Sequence, residues 1–170
     1  MLTWLSLLCA LLTAAAPPAP RATVLVFLAD TCPISQRAAV TVRELYFQYS
    51  GQGVGFGGVF PSAATTDTDL AAFAKTYRMP FGLRRDRYHQ LTRRWQARVT
   101  PEVVVLAADG RTILYRGRID DAFAGLGKPR AAVQHHELAD ALAAVVAGQP
   151  VAVPKTEPVG CFIESQIGAD

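Results

Sequence analysis

Thr23–Ala29 reads TVLVFLA, seven residues without a charge, a glycine or a proline. A run this short and continuously apolar, rich in β-formers, fits a strand buried on both faces. Such a strand needs covering layers on either side and parallel neighbours joined by helices. The remaining pattern supplies them. Ala38, Val42, Leu45, Tyr46 and Tyr49 share one helical face, and Val54–Phe60 returns to strand character. Thr66–Asp69 caps a helix whose apolar face is Leu70, Phe73, Ala74 and Tyr77. A brief extended piece, Phe81–Leu83, precedes a helix expected over Asp86–Val99 with Tyr88, Leu91, Trp95 and Val99 inward. Glu102–Leu106 and Thr112–Tyr115 flank an Asp109-Gly110 turn and form an antiparallel hairpin. A last helix is expected over Ala131–Ala147, ended by Gly148. The chain is therefore α/β, a central mixed sheet covered by helices on both faces.

The 170 residues allow one domain, and a content of 51% hydrophobic and 18% charged residues excludes a disordered, acidic or coiled-coil protein. The segment LTWLSLLCALL, followed by Thr13-Ala14-Ala15-Ala16, reads as a signal peptide over residues 1–16. It is too short for a membrane span, and the mature chain carries no other candidate. Residues 22–148 then form the domain, and residues 149–170, with three prolines and no period, an extended arm. The expected location is periplasmic or secreted. Removal of the leader takes Cys9 with it and leaves an even pair, Cys32 and Cys161, in an oxidising compartment. A net charge of +3 is too mild for nucleic-acid binding.

Chemistry concentrates at Cys32. A cysteine that directly follows a buried strand and opens a helix meets free amide N–H groups and the positive end of the helix dipole, which lower a thiol pKa. Pro33 suits the first helical position, where its missing N–H has no partner to lose. Thr31 is expected to offer a hydroxyl near the sulfur, whereas Asp30 opposes a thiolate unless it points away.

The order strand–Cys32-Pro33-Ile34-Ser35–helix, then Val99-Thr100-Pro101-Glu102 opening a strand, then Tyr115–Asp121 (YRGRIDD) and Gly160-Cys161, resembles the thioredoxin-like superfamily. Within it the chain is similar to secreted bacterial redoxin-domain proteins of the peroxiredoxin-like branch. The resemblance implies a three-layer α/β/α fold with a central mixed sheet, a cis Pro101 facing Cys32, and a Thr100 backbone able to pair with an extended thiol substrate. Thr31, Pro33, Ser35, Thr100 and Pro101 would line the substrate site. It further implies a small peroxide or protein disulfide as substrate and an external dithiol as reductant, with no cofactor or metal. Two departures stand out. Ser35 replaces the second cysteine of a Cys-x-x-Cys pair, and Ala29 stands where peroxiredoxins carry Thr or Ser.

Cys161 supplies a second sulfur, about 13 residues past Gly148, within reach of any point on a small domain. It can resolve an intermediate on Cys32, form a permanent disulfide that pins the arm, or join Cys32 in binding a soft metal. The alternative to a catalytic redoxin is accordingly a non-catalytic binding module or copper-carrying chaperone; copper chaperones use Cys-x-x-x-Cys, and here position 36 is Gln. Other features read as structural. Gly53–Gly58 matches Gly-x-Gly-x-x-Gly but lies in a strand pattern, so its glycines are expected to permit close packing of helix on sheet. Arg84, Arg85, Arg87, Arg93, Arg94 and Arg98 read as a solvated helix face, His135 and His136 as adjacent helix residues, and Asp120 and Asp121 as turn or cap residues.

Overall fold

The computed structural model describes residues 20–164; the predicted leader and Cys9 lie outside them. Five strands form the main sheet: β1 (Ala22–Phe27), β2 (Val54–Phe60), β3 (Leu83–Arg85), β5 (Glu102–Ala107) and β6 (Ile113–Gly117), in the order β3-β2-β1-β5-β6. The apolar strand β1 lies at the centre, parallel to β2 on one side and antiparallel to β5 on the other. Two small sheets are added: β4 (Val99–Thr100) with β9 (Cys161–Phe162), and β7 (Phe123–Gly125) with β8 (Lys128–Pro129).

Alternation along the strands separates two cores. Val24, Val26, Val103, Val105 and Tyr115 face α1 (Pro33–Tyr49), α2 (Asp67–Tyr77) and α4 (Glu137–Val146). Phe27, Val59, Val104 and Leu106 face the other way, onto Trp95 of the short α3 (Gln90–Trp95), Ala97 and Ile163. The layering is thus α/β/α as expected, but unequal. The single six-residue helix leaves the second face partly open, and the arm residue Ile163, 4% exposed, completes it. Burying one isoleucine contributes about 1.5–3 kcal/mol.

Local chemistry sets the element ends. A reciprocal capping box between Thr66 and Asp69 starts α2. The helix expected over Asp86–Val99 is cut to Gln90–Trp95. The buried Asp86 carboxylate accepts the Leu91 and Thr92 amides at 3.2 and 2.8 Å, and Gln96 takes a left-handed conformation that stops the helix. Tyr88 consequently stays outside the helix and is 66% exposed rather than inward. The last helix begins at Glu137 instead of Ala131. Asp121 Oδ1 accepts the Gln134 and His135 amides at 2.7 and 3.1 Å, which holds that segment as a loop. His135 and His136 therefore precede the helix rather than lie on it. The extended piece expected at Phe81–Leu83 is realised as β3, displaced to Leu83–Arg85. Gly57 and Gly58 give room to side chains of neighbouring strands, Leu25 and Leu83, not to a helix.

The arm is fastened twice. First, Arg116 N–H donates to Pro154 O and Thr156 N–H to Arg116 O, each at 3.0 Å, along the free edge of β6. Gly117, with φ 140°, lets Thr156 press against the backbone there. Second, β9 pairs antiparallel with β4, placing Thr100 opposite Cys161, and Ile163 N–H donates to Arg98 O at 3.1 Å. A Cβ on Gly160 would overlap the Thr100 carbonyl, so this approach requires glycine. Replacing Gly160 with Ala should destabilise the protein by about 1–3 kcal/mol, in the range of an overpacked site. Hydrogen exchange should then show the Ile163 amide losing its protection; unchanged protection would contradict the tight second fastening.

Candidate functional site

Cys32 is the N-cap of α1, with extended backbone (φ −89°, ψ 115°), and Pro33 is the first helical residue. The helix follows because residues 34–49 place Ile34, Ala38, Ala39, Val42, Leu45 and Tyr49 on one buried face. The strand end holds the cysteine from behind: its amide donates to Ala29 O at 3.3 Å, and its carbonyl accepts Gln36 N–H at 3.0 Å. The residue is 2% exposed.

From the arm, the Cys161 sulfur comes to 2.6 Å from Cys32 Sγ, both cysteines being thiols here. Thr100 completes the cluster, its carbonyl 3.3 Å from Cys32 Sγ, followed by a cis Thr100–Pro101 bond. Thr100 Oγ1 also donates to Cys161 O at 3.4 Å. The loop bearing Thr100 is held by Glu102, 1% exposed, whose Oε2 accepts the Arg98 amide at 2.7 Å and whose Oε1 faces Arg116 Nη2 at 3.4 Å. Removing either partner of such a buried pair strands the other charge.

The two sulfurs differ electrostatically. Burial pushes the Cys32 thiol up, but the Cys161 thiol, the amides of Ser35 and Cys161 and the Ser35 hydroxyl outweigh it, so the net shift is downward from 9.0. The helix N-terminus acts in the same direction. Cys161 moves the opposite way, to about 11, through burial, its hydrogen bond to Cys32 and the charge on Cys32. Of the two, Cys32 therefore ionises more readily and Cys161 keeps its proton to higher pH.

Among the residues read from the sequence, the structure brings Cys32, Cys161, Ser35 and Thr100 together, with the cis Pro101 following Thr100. Ser35 is fully buried and its Oγ accepts the Ala29 amide at 3.2 Å. Asp30 is turned away, its Oδ1 accepting the Thr65 hydroxyl at 2.7 Å. The expectation for Thr31 is corrected: the polar groups at the Cys32 sulfur come from Cys161, Ser35 and Thr100, while Thr31 is exposed and lines the adjoining cleft. Pro33 is exposed at the helix start. That cleft, of about 220 Å³, is lined by Ala29, Thr31, Cys32, Pro61, Ser62, His89, Thr100 and Cys161, with Phe162, Ile163 and Glu164 from the arm. His89, at φ 53°, was not expected here; nothing in its local sequence ties it to Cys32. Ile163 did leave a trace, since Cys161 and Ile163 are spaced i, i+2 as on one strand face.

The arginine cluster stays outside this group. Arg84, Arg87, Arg93, Arg94 and Arg98 are exposed; Arg87 stacks on Tyr88, Arg94 on Trp95, and Arg98 pairs with Glu157 at 2.8 Å. Asp120 and Asp121 serve as turn acceptors, Asp120 Oδ1 taking the Ala122 amide at 3.0 Å.

The opposed shifts predict a titration. Thiolate absorbance of the reduced protein should rise in two steps, one below pH 9 and one near pH 11. Cys161→Ala removes the thiol that favours ionised Cys32, so the first step should move up. Cys32→Ala removes the hydrogen bond and charge that hold Cys161 protonated, so the remaining step should fall from about 11 toward 9. A first step unmoved by Cys161→Ala would contradict the coupling.

No protein-family profile and no curated protein matches the chain. Solved structures do. An uncharacterised conserved protein from Geobacillus kaustophilus superposes with a TM-score of 0.79 at 23% identity, covering 90% of this chain and 82% of that one. A hypothetical protein from Sinorhizobium meliloti 1021 gives a TM-score of 0.76 at 25% identity, covering 87% and 81%. A secreted Mycobacterium tuberculosis disulfide oxidoreductase, described as homologous to Escherichia coli DsbE, gives 0.53 at 18% identity, covering 76% and 83%. With its β3-β2-β1-β5-β6 mixed sheet between helical layers, the chain has the thioredoxin-like fold.

Proposed function

We propose that this protein is an exported thiol–disulfide oxidoreductase in which Cys32 is the nucleophile and Cys161 its redox partner. The observation that carries the reading is the 2.6 Å approach of two sulfurs whose pKa values are driven in opposite directions. A nucleophile must be thiolate, and a second thiol must stay protonated until it is needed. In the reaction, the Cys32 thiolate attacks one sulfur of a substrate disulfide. A Cys32–substrate disulfide forms, and the other substrate sulfur leaves as a thiolate that takes up a proton. Cys161 then gives up its proton and attacks the Cys32 sulfur, releasing the second substrate thiol. The resulting Cys32–Cys161 disulfide is returned to two thiols by an external dithiol, which is itself oxidised.

Disulfide exchange is favoured over peroxide reduction at this site. Cleaving an O–O bond expels a poor oxygen leaving group that gains from a positioned donor, and the residue three before Cys32 is Ala29, which has no hydroxyl. A copper-carrying role is less favoured. Position 36 is Gln, and among the described residues no group of three His, Cys, Asp or Glu side chains is placed to hold a metal. Export, with loss of residues 1–16 and Cys9, rests on the leader's composition and fits the oxidising setting that a cysteine pair needs. Among the described residues no helix is long and apolar enough to cross a membrane.

The test is oxidation of the reduced mature protein by glutathione disulfide. Wild type should lose both thiols and release two glutathiones. Cys161→Ser should stop at a glutathione mixed disulfide on Cys32, visible by mass. Cys32→Ser should react about 100-fold more slowly, because the remaining thiol is largely protonated at neutral pH. Full activity in Cys32→Ser, or a disulfide that no mild dithiol reduces, would overturn the reading; the latter result would make the bond a structural pin.

A further inference from the structure

Resting on the Cys32–Cys161 reading, we propose that the site serves low-molecular-weight disulfides and excludes extended polypeptides, because the chain's own arm occupies the backbone edge beside Cys32 where a polypeptide would dock. An extended peptide gains affinity and register on a fold like this by adding a strand to an unpaired edge. The edge next to Cys32 is that of β4, and it is filled. Thr100 is paired with Cys161, and the Arg98 carbonyl accepts the Ile163 amide at 3.1 Å. The Thr100 carbonyl is packed so closely on Gly160 that no side-chain atom fits between them. Ile163, 4% exposed, plugs the second core against Trp95 and Leu106.

These contacts act together. A polypeptide entering the β4 edge must first displace Cys161 and Ile163, which removes the redox partner and uncovers the core. Upstream, the Thr156 fastening to β6 keeps the arm close by, so a displaced strand is poised to rebind. What remains open is the cleft beside the two sulfurs. At about 220 Å³ it is smaller than the roughly 300–1,000 Å³ typical of drug-sized ligand sites. Its outer wall carries the small or polar Ala29, Thr31, Ser62 and His89 beside Pro61, and the arm supplies Phe162 and Glu164. A small disulfide can present one sulfur to Cys32 there without a strand partner. The chemistry balances as for any exchange: one S–S bond of the substrate breaks, the Cys32–Cys161 bond forms, and two small thiols leave with two protons.

The experiment is a size series. Reduced wild-type protein is oxidised under one set of conditions by cystine, glutathione disulfide, and the symmetrical disulfide of an unstructured ten-residue peptide with central cysteine. Loss of the Cys32 thiol is followed by mass. The rate should fall about 100-fold between glutathione disulfide and the decapeptide disulfide, since only the small fraction of molecules with a displaced arm admits the peptide. Ile163→Ser, which loosens the arm while keeping Cys161, should narrow that ratio to about tenfold or less on the same population argument. The wild-type series decides the matter even if the variant is too unstable to use. A wild-type rate that stays flat with substrate length overturns the size restriction and leaves the redox pair standing. Failure of every disulfide to oxidise Cys32 overturns the redox pair and the restriction with it.

Discussion

The contact between the Gly160–Ile163 strand and the Arg98–Thr100 segment is the constraint on which the site depends. It brings a sulfur from the end of the chain onto one at the start of the first helix, across most of the sequence. Its requirements are steric and specific. Gly160 must lack a Cβ to lie on the Thr100 carbonyl, and Ile163 must reach the apolar gap left beside the short α3. The segment it pairs with is held from the other side by the buried Glu102 carboxylate on the Arg98 amide. One end of the fold is therefore completed by its own tail, and the same tail delivers Cys161.

The electrostatics follow from this packing. Cys32 alone would be a buried cysteine, and burial by itself raises a thiol pKa. The helix N-terminus, the Ser35 groups and the Cys161 thiol reverse that effect. Cys161 is then held protonated by the partner it helps to ionise. Such a pair is asymmetric before any substrate arrives, which is what separates a nucleophile from a resolving thiol on the same molecule. Asp30, the one carboxylate near enough in sequence to oppose the thiolate, is occupied by Thr65.

Much of this was legible in the sequence because it rested on short-range patterns. The apolar run Thr23–Ala29 supplies most of the central strand, which spans Ala22–Phe27, Pro33 opens the helix, and the Asp109-Gly110 turn closes the hairpin. The Gly160-Cys161 dipeptide and the proline-rich arm marked the second sulfur, although spacing could not say where it would land. The errors were at places where one buried carboxylate outweighs helical periodicity. Asp86 and Asp121 each capture amides that a longer helix would have used, so α3 and α4 are shorter than their apolar spacing suggests. Proximity in sequence points to Thr31 at the sulfur, yet the Ser35 amide and hydroxyl and the groups of Cys161 reach it instead. His89 joined the cleft through a turn whose direction no local signal records.

The central claim is that Cys32 and Cys161 are one two-electron redox pair. An equilibrium titration of the mature protein against a dithiol buffer, with free thiols identified by alkylation and mass, tests it most directly. The account predicts that both cysteines become reactive together, along a single two-electron curve, and that the oxidised species carries a Cys32–Cys161 cross-link. Thiols that appear independently, or a Cys32 that never joins Cys161 under oxidising conditions, would contradict it.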